Sequence, residues 1–218
     1  MKIKDLYSLE HTLAGWFLEK FEYPWQALST IKEMIISNIK TLPKDDYLEI
    51  SENVWVHKSA QIAPTAFIGG PCIIGAKTEV RHCAYIRGSA LVGENCVVGN
   101  SVELKNVILF DNVQVPHYNY VGDSILGYKS HMGAGSITSN VKSDKSLVVI
   151  KNGKEEIPTN IKKVGAMLGD YVEVGCNSVL NPGTIIGKNT NIYPLSSVRG
   201  VIPQNSIYKS QDNIISKI

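Results

Sequence analysis

The chain has 218 residues, 44% hydrophobic and 19% charged, a composition that suits one packed domain with an appendage and excludes a low-complexity chain. Lys plus Arg total 22 against 20 Asp plus Glu, and this net charge of +2 gives no ground for a nucleic-acid or anionic-membrane partner. No run approaches the roughly 20 apolar residues of a membrane span and no signal peptide follows Met1. Cys72, Cys83, Cys96 and Cys176 lack C-x-x-C spacing, which predicts reduced core thiols in a cytoplasmic protein that needs no metal.

Residues 1–46 read as a helical hairpin. Leu9, Leu13, Trp16, Phe17 and Phe21 recur at steps of three and four, Pro24 interrupts them, and Ala27, Ile31, Met34, Ile35 and Ile39 form a second stripe that Pro43 ends. The hairpin is expected to pack on the main domain or on a neighbouring subunit.

From residue 47 to 202 a different period rules. Bulky residues fall every six positions at Val56, Ile62, Ile68, Ile74, Val80, Ile86, Val92, Val98 and Leu104, and the same phase runs on to Phe110 and Pro116. Small or β-branched residues follow four positions later, as at Ala60, Ala66, Cys72, Thr78, Ala84, Ala90, Cys96 and Val102. A period of six matches neither an α-helix nor simple strand alternation. It predicts an all-β solenoid, a left-handed parallel β-helix of hexapeptide repeats in which three short strands complete each triangular coil. The phase slips by one residue between Val121 and Leu126, near His117, and a slip re-aims side chains as bulges do. Residues 141–163 interrupt the period and carry the tight-turn pair Asn152-Gly153, so they are expected to project from the solenoid. Repeats resume at Leu168, Val174, Leu180, Ile186, Ile192 and Val198, and residues 203–218 form a tail that caps or crosses the last coil.

Stacking turns spacing into contact, because residues one coil of 18 apart lie about 4.8 Å from each other. Arg87 and Lys105 are so placed, and a ladder of like charge suits an anion such as phosphate. His117 is a candidate general base, and Glu103, close in coil terms, is a carboxylate able to fix its tautomer. Met132-Gly133-Ala134-Gly135-Ser136-Ile137-Thr138 offers unobstructed backbone N–H groups to an oxyanion. The bland alternatives are a solvated cation pair, a structural histidine and a tight corner. His82 and His117 also admit a metal hydratase reading of the γ-carbonic-anhydrase kind, but the third histidine expected five residues beyond the second is replaced by Gly122. A non-catalytic scaffold or ligand-binding solenoid is a further alternative.

The segments Gly99–Asn106 (GNSVELKN), Pro116–Ser124 (PHYNYVGDS) and Gly133–Asn140 (GAGSITSN) resemble the acetyltransferase half of the bifunctional N-acetylglucosamine-1-phosphate uridyltransferase/glucosamine-1-phosphate acetyltransferases and related sugar-phosphate nucleotidyltransferase-like proteins. The resemblance implies an acetyl-CoA-dependent N-acyltransferase acting on a phosphorylated amino sugar such as glucosamine-1-phosphate, in UDP-N-acetylglucosamine biosynthesis. It implies His117 as base, Glu103 as its orienting carboxylate, and Arg87, Lys105 and Tyr120 on the sugar phosphate, in a homotrimer with sites between chains. Ala134 and Asn140 correspond to acetyl-CoA contacts. His131 stands where the family has a sugar-binding asparagine, Cys176 and Pro194 where it has a serine and an alanine on acetyl-CoA, and Lys145 is the nearest equivalent of its substrate lysine. Residues 1–46 are too short for a nucleotidyltransferase domain and hold no Gly-rich phosphate loop.

Overall fold

The computed structural model describes residues 1–217. From Val54 the chain winds as a left-handed parallel β-helix whose coils present three flat faces. Face 1 stacks strands such as Cys72–Ile74, Ala90–Val92, Ala166–Leu168 and Thr184–Ile186. Face 2 stacks Glu79–Val80, Val97–Asn100, Gln114–His117, His131–Met132, Glu173–Val174 and Asn191–Ile192 in one sheet. Face 3 stacks Phe67–Ile68, Tyr85–Ile86, the start of Glu103–Leu109, the start of Tyr120–Leu126, Ile137–Thr138 and Val179–Leu180. The hexad residues point inward, and Ile74, Ile86, Val98, Leu104, Leu168, Leu180 and Val198 are fully buried.

The phase departs from the sequence reading at two places. Leu104 pairs with Ile86, but Leu109 pairs with Val92 and Val115 with Val98, so the buried row runs through Leu109 and Val115 rather than Phe110 and Pro116. The residue is lost between faces 3 and 1, where Glu103–Leu109 and Tyr120–Leu126 each run as one unbroken seven-residue strand without a loop at the corner. The slips therefore flank the His117 coil instead of falling on it. Phe110, freed from the core row, lies beside Tyr7 with ring centroids 5.1 Å apart.

Residues 1–46 are a chain of short elements rather than a hairpin of two helices: α1 (Ile3–Leu6), α2 (Gly15–Leu18) and α3 (Ile31–Ile39), joined by 3₁₀ turns at Leu9–His11 and Pro24–Thr30. The segment lies over face 1, where it buries Ile73, Leu91, Ile108, Ile125 and Met167 against Leu6, Leu18, Trp25, Leu28, Ile31 and Ile35. Each aliphatic side chain so buried contributes about 1.5–3 kcal/mol. Leu91, which faces outward from the solenoid, is fully covered. Phe17 and Trp25 are buried by their own chain, whereas Trp16 remains 45% exposed. Asp170 pins the segment: its carboxylate accepts from the Ser8 amide at 2.9 Å and hydroxyl at 2.8 Å, and pairs with Lys188 at 2.8 Å.

The excursion over residues 141–163 folds back instead of projecting. Its hairpin, Val149–Asn152 with Glu155–Pro158, lies against the corner between faces 3 and 1, with Val148 and Ile150 buried beside Gly183. A Val141–Lys163 bridge closes its neck. The tail forms Ser206–Ser210 and Asn213–Ser216, an antiparallel pair that finishes face 2. Cys72 and Cys96 are core thiols, with burial pushing the Cys96 thiol up to about 12, but Cys83 and Cys176 are exposed, contrary to expectation. No helix among the described residues is long and apolar enough to cross a membrane.

Candidate functional site

The corner between faces 2 and 3 aligns one residue from each coil: His82, Asn100, His117, Ala134, Cys176 and Pro194. Backbone bonds from the next residue of the following coil fix the alignment. Tyr118 N–H donates to the Asn100 carbonyl at 2.9 Å, Gly135 to His117 at 3.0 Å, Asn177 to Ala134 at 2.8 Å and Leu195 to Cys176 at 2.9 Å. The corner residue itself takes a left-handed conformation, at Tyr118 with φ 52° and at Leu195 with φ 60°, which costs more for these bulky side chains than for the asparagine at 177.

His117 is exposed at this corner. Its amide donates to Asn119 Oδ1 at 3.1 Å, and the buried Asn119 amide group donates in turn to the Gly133 carbonyl at 2.9 Å and the Ser136 carbonyl at 3.0 Å. Asn119, unmarked by any spacing rule, thus locks the His117 coil to the glycine-rich coil beneath it. That glycine-rich stretch is less open than its sequence suggests. The amides of Gly133, Gly135, Ser136 and Ile137 are all spent on backbone carbonyls, and within 133–137 that of Ala134 alone has no partner among the described residues. Ala134 N–H, one coil below His117, is the group left to meet an oxyanion.

Around the corner on face 3, Arg87, Lys105 and Gly122 occupy one outward row. The two cations do stack, but each has a carboxylate of its own. Arg87 Nη1 donates to Glu103 Oε1 at 2.9 Å, and Lys105 Nζ reaches both oxygens of Asp123 at 2.9 and 3.1 Å. Glu103 and His117 flank the same corner one coil apart, but Glu103 is bonded to Arg87, and among the described residues the expected carboxylate–imidazole hydrogen bond is not formed. Tyr120 sits in register with Glu103, its hydroxyl over Gly122, where a Cβ would stand 2.5 Å away. Burial first, and the charge of Asp123 second, raise its pKa above the usual phenol value. Asn140 Nδ2 donates to the Tyr120 hydroxyl at 3.2 Å and to Asp123 Oδ2 at 2.5 Å.

Two expected residues stand apart. His131 lies on face 2 in register with Gln114 and pairs with Glu173, Nδ1 to Oε2 at 2.8 Å, on the far side of the corner from Arg87 and Lys105. Lys145 is exposed on the excursion, where its amide bonds the Lys142 carbonyl. His82 and His117 are separated in their row by Asn100, and no group of three metal-ligating side chains converges among the described residues.

Known proteins resemble this chain at two levels. A bifunctional GlmU protein of Methanococcus maripaludis is 36% identical over 199 residues, 89% of this chain and 48% of that protein. The chain thus spans about half the length of the curated relatives of this kind. An Escherichia coli protein described as the uncharacterized acetyltransferase YaiX is 29% identical over 84% of this chain and 87% of its own. Among solved structures, a hexapeptide transferase family protein from Anaplasma phagocytophilum covers 76% of this chain and 80% of its own at 15% identity, with a TM-score of 0.43. The sequence model described as the GMPPB C-terminal domain matches residues 70–210, most of the β-helix with the corner between faces 2 and 3, and the chain belongs to that family.

Proposed function

We propose that this chain transfers an acetyl group from acetyl-CoA to the amine of a phosphorylated amino sugar, with glucosamine-1-phosphate as the type substrate. The observation that carries the reading is the single corner row His117–Ala134–Cys176–Pro194, flanked on face 3 by Arg87, Lys105 and Tyr120. Similarity to bifunctional GlmU proteins and to a chain described as an acetyltransferase supports the reaction class.

In this scheme the acceptor phosphate takes Arg87 and Lys105, and its amine meets the thioester carbonyl between His117 and Ala134. The nitrogen lone pair forms the new C–N bond while His117 accepts the ammonium proton. Ala134 N–H donates to the oxyanion as it forms. Collapse restores the carbonyl, breaks the C–S bond and releases the CoA thiolate, to which His117 returns the proton. The acyl donor runs down the corner past Cys176 and Pro194, with Asn140 at its rim. Arg87→Ala and Lys105→Ala are each expected to weaken the phosphorylated acceptor by about tenfold, the scale of one part-exposed charge-assisted bond, without weakening acetyl-CoA. Calorimetric titration reads both, and equal losses for the two ligands overturn the phosphate assignment. Thiol release from acetyl-CoA against a panel of amino sugar phosphates tests the activity itself.

The reading includes a homotrimer, cytoplasmic by its reduced thiols, with the acceptor groove closed by a second chain. Exposed Phe67, Tyr85 and Tyr118 rim face 3 and its corner, an apolar surface of the kind that marks interfaces. Light scattering at micromolar concentration should return three times the 23.9 kDa of one chain. A single-chain mass removes both the trimer and the shared site. A binding-only solenoid is the second reading, favoured by the Glu103 and Asp123 carboxylates that neutralise both cations, and absence of turnover with every acceptor would select it.

A further inference from the structure

Asp123 takes four side-chain hydrogen bonds beside the corner, and no spacing rule singles it out. It is 3% exposed, and a carboxylate that deep is tolerated only when its oxygens are satisfied. All of them are. Oδ1 accepts from Lys105 Nζ at 2.9 Å and Asn106 Nδ2 at 2.9 Å, while Oδ2 accepts from Lys105 Nζ at 3.1 Å and Asn140 Nδ2 at 2.5 Å. Its backbone is engaged as well, since the Asp123 carbonyl accepts from the Gly165 amide at 2.8 Å where the excursion rejoins the solenoid. Asn106 carries the connection outward, because the same Nδ2 donates to the Leu28 carbonyl at 3.1 Å in the segment that covers face 1.

From this geometry we propose that Asp123 is a positioning residue which holds Lys105 and Asn140 on one buried carboxylate and so couples the acceptor side of the site to the acyl-donor side. The inference rests on the roles assigned above to Lys105 and Asn140. Its physical content is a competition. In the free chain the Lys105 ammonium is already neutralised, so an incoming phosphate must draw it from Asp123, and the binding of loose anions is held down. Once Lys105 turns to the phosphate, the Asp123 oxygens have only Asn106 and Asn140 to answer them. The Asn140 amide is then held more firmly at the rim of the donor groove. The N-terminal segment enters the site by the same route, through Leu28 and Asn106.

Asp123→Asn is the direct test. Asp123 has φ 49°, a left-handed conformation that asparagine adopts at least as readily, so the backbone is respected. The substitution removes the charge and forces a choice: if the new oxygen faces Lys105 and Asn106, the new NH₂ faces the NH₂ of Asn140 and that bond is lost. Calorimetric titration of the full chain with inorganic phosphate at low ionic strength should show binding roughly fivefold tighter than wild type, or binding where wild type has none, because Lys105 is unmasked. Acetyl-CoA should bind more weakly, by roughly the same factor. Phosphate affinity that is unchanged or lower in Asp123→Asn overturns the masking, and unchanged acetyl-CoA affinity overturns the coupling. A merely structural role would weaken both ligands together. Should Asp123→Asn fail to fold, Lys105→Ala serves: with the ammonium gone the carboxylate holds Asn140 more firmly, so acetyl-CoA must bind more tightly than to wild type, and unchanged or weaker binding overturns the coupling. Both readouts are binding constants, so a wild-type chain without turnover would defeat the acetyl-transfer reading and leave the role of Asp123 to be judged on its own.

Discussion

Replacement of His117 by alanine is expected to lower turnover by about 10²–10⁴, the usual cost of losing a general base. Fold and stability should be preserved. The imidazole is exposed and makes no hydrogen bond among the described residues, and what fixes its coil is backbone: the His117 amide on Asn119 and the His117 carbonyl under Gly135. Circular dichroism and the thermal midpoint should therefore match wild type while thiol release from acetyl-CoA collapses. Turnover within about threefold of wild type would remove His117 from the chemistry. Loss of structure alongside activity would show that the corner depends on the ring for more than catalysis.

The largest stability effect is expected at Gly99. It directly follows inward-facing Val98 on face 2, with Pro116 one coil further on. A Cβ built on Gly99 would fall on the Pro116 carbonyl oxygen and 2.5 Å from the Pro116 Cα. Backbone cannot rotate out of the way as a side chain can, so Gly99→Ala should destabilise by about 3 kcal/mol or more, beyond ordinary overpacking. Gly153 is the contrast. It has φ 61° and nothing within 4 Å, so Gly153→Ala should cost only the conformational term, about 1 kcal/mol. Denaturant midpoints for the two variants should differ accordingly, and near-equal losses would mean that the coils can slide apart at Gly99. Because Pro116 adjoins His117, any survivor of Gly99→Ala should also show reduced turnover.

The solenoid was legible because its rule is local. One buried residue in six is a packing requirement of a triangular coil, and nothing in the rest of the chain can excuse a departure from it. Of the two places where a coil loses a residue, the one between Val121 and Leu126 was read from sequence, and the one after Leu104 was misplaced because both Leu109 and Phe110 are large and apolar. Periodicity cannot choose between them, and only the pairing of Leu109 with Val92 does. Packing of the N-terminal segment on the main domain was one of two readings the sequence left open, and the choice between them was not legible for a related reason. Ile73, Leu91 and Ile108 read as outward apolar residues, and sequence does not say whether a neighbour or the chain's own N-terminus lies above them. Of the candidate site, Arg87, Lys105, Tyr120 and Asn140 do converge, since stacking converts their spacing into contact. The carboxylate partners were read less well. Glu103 was paired with His117 by proximity along the coil, but the Arg87 guanidinium within its reach takes the carboxylate in a charge-assisted bond. Asp123 was passed over because its partners Lys105, Asn106 and Asn140 come from the coils on either side of it, a meeting that no single repeat records.

The ends of the β-helix bear on a different hazard. A parallel stack of identical coils is the geometry from which fibrils grow, since the last coil offers a template for the first coil of another molecule. Here face 1 begins with Tyr47–Ser51 running antiparallel to Val54–His57, and face 2 ends with Asn213–Ser216 running antiparallel to Ser206–Ser210. The other terminal strands, Gln61–Ile62, Phe67–Ile68, Ser197–Val198 and Val201–Ile202, are two residues long. An incoming coil would meet a reversed strand on one face and almost no edge on the others, so end-to-end polymerisation is blocked at both poles by chain direction rather than by charge.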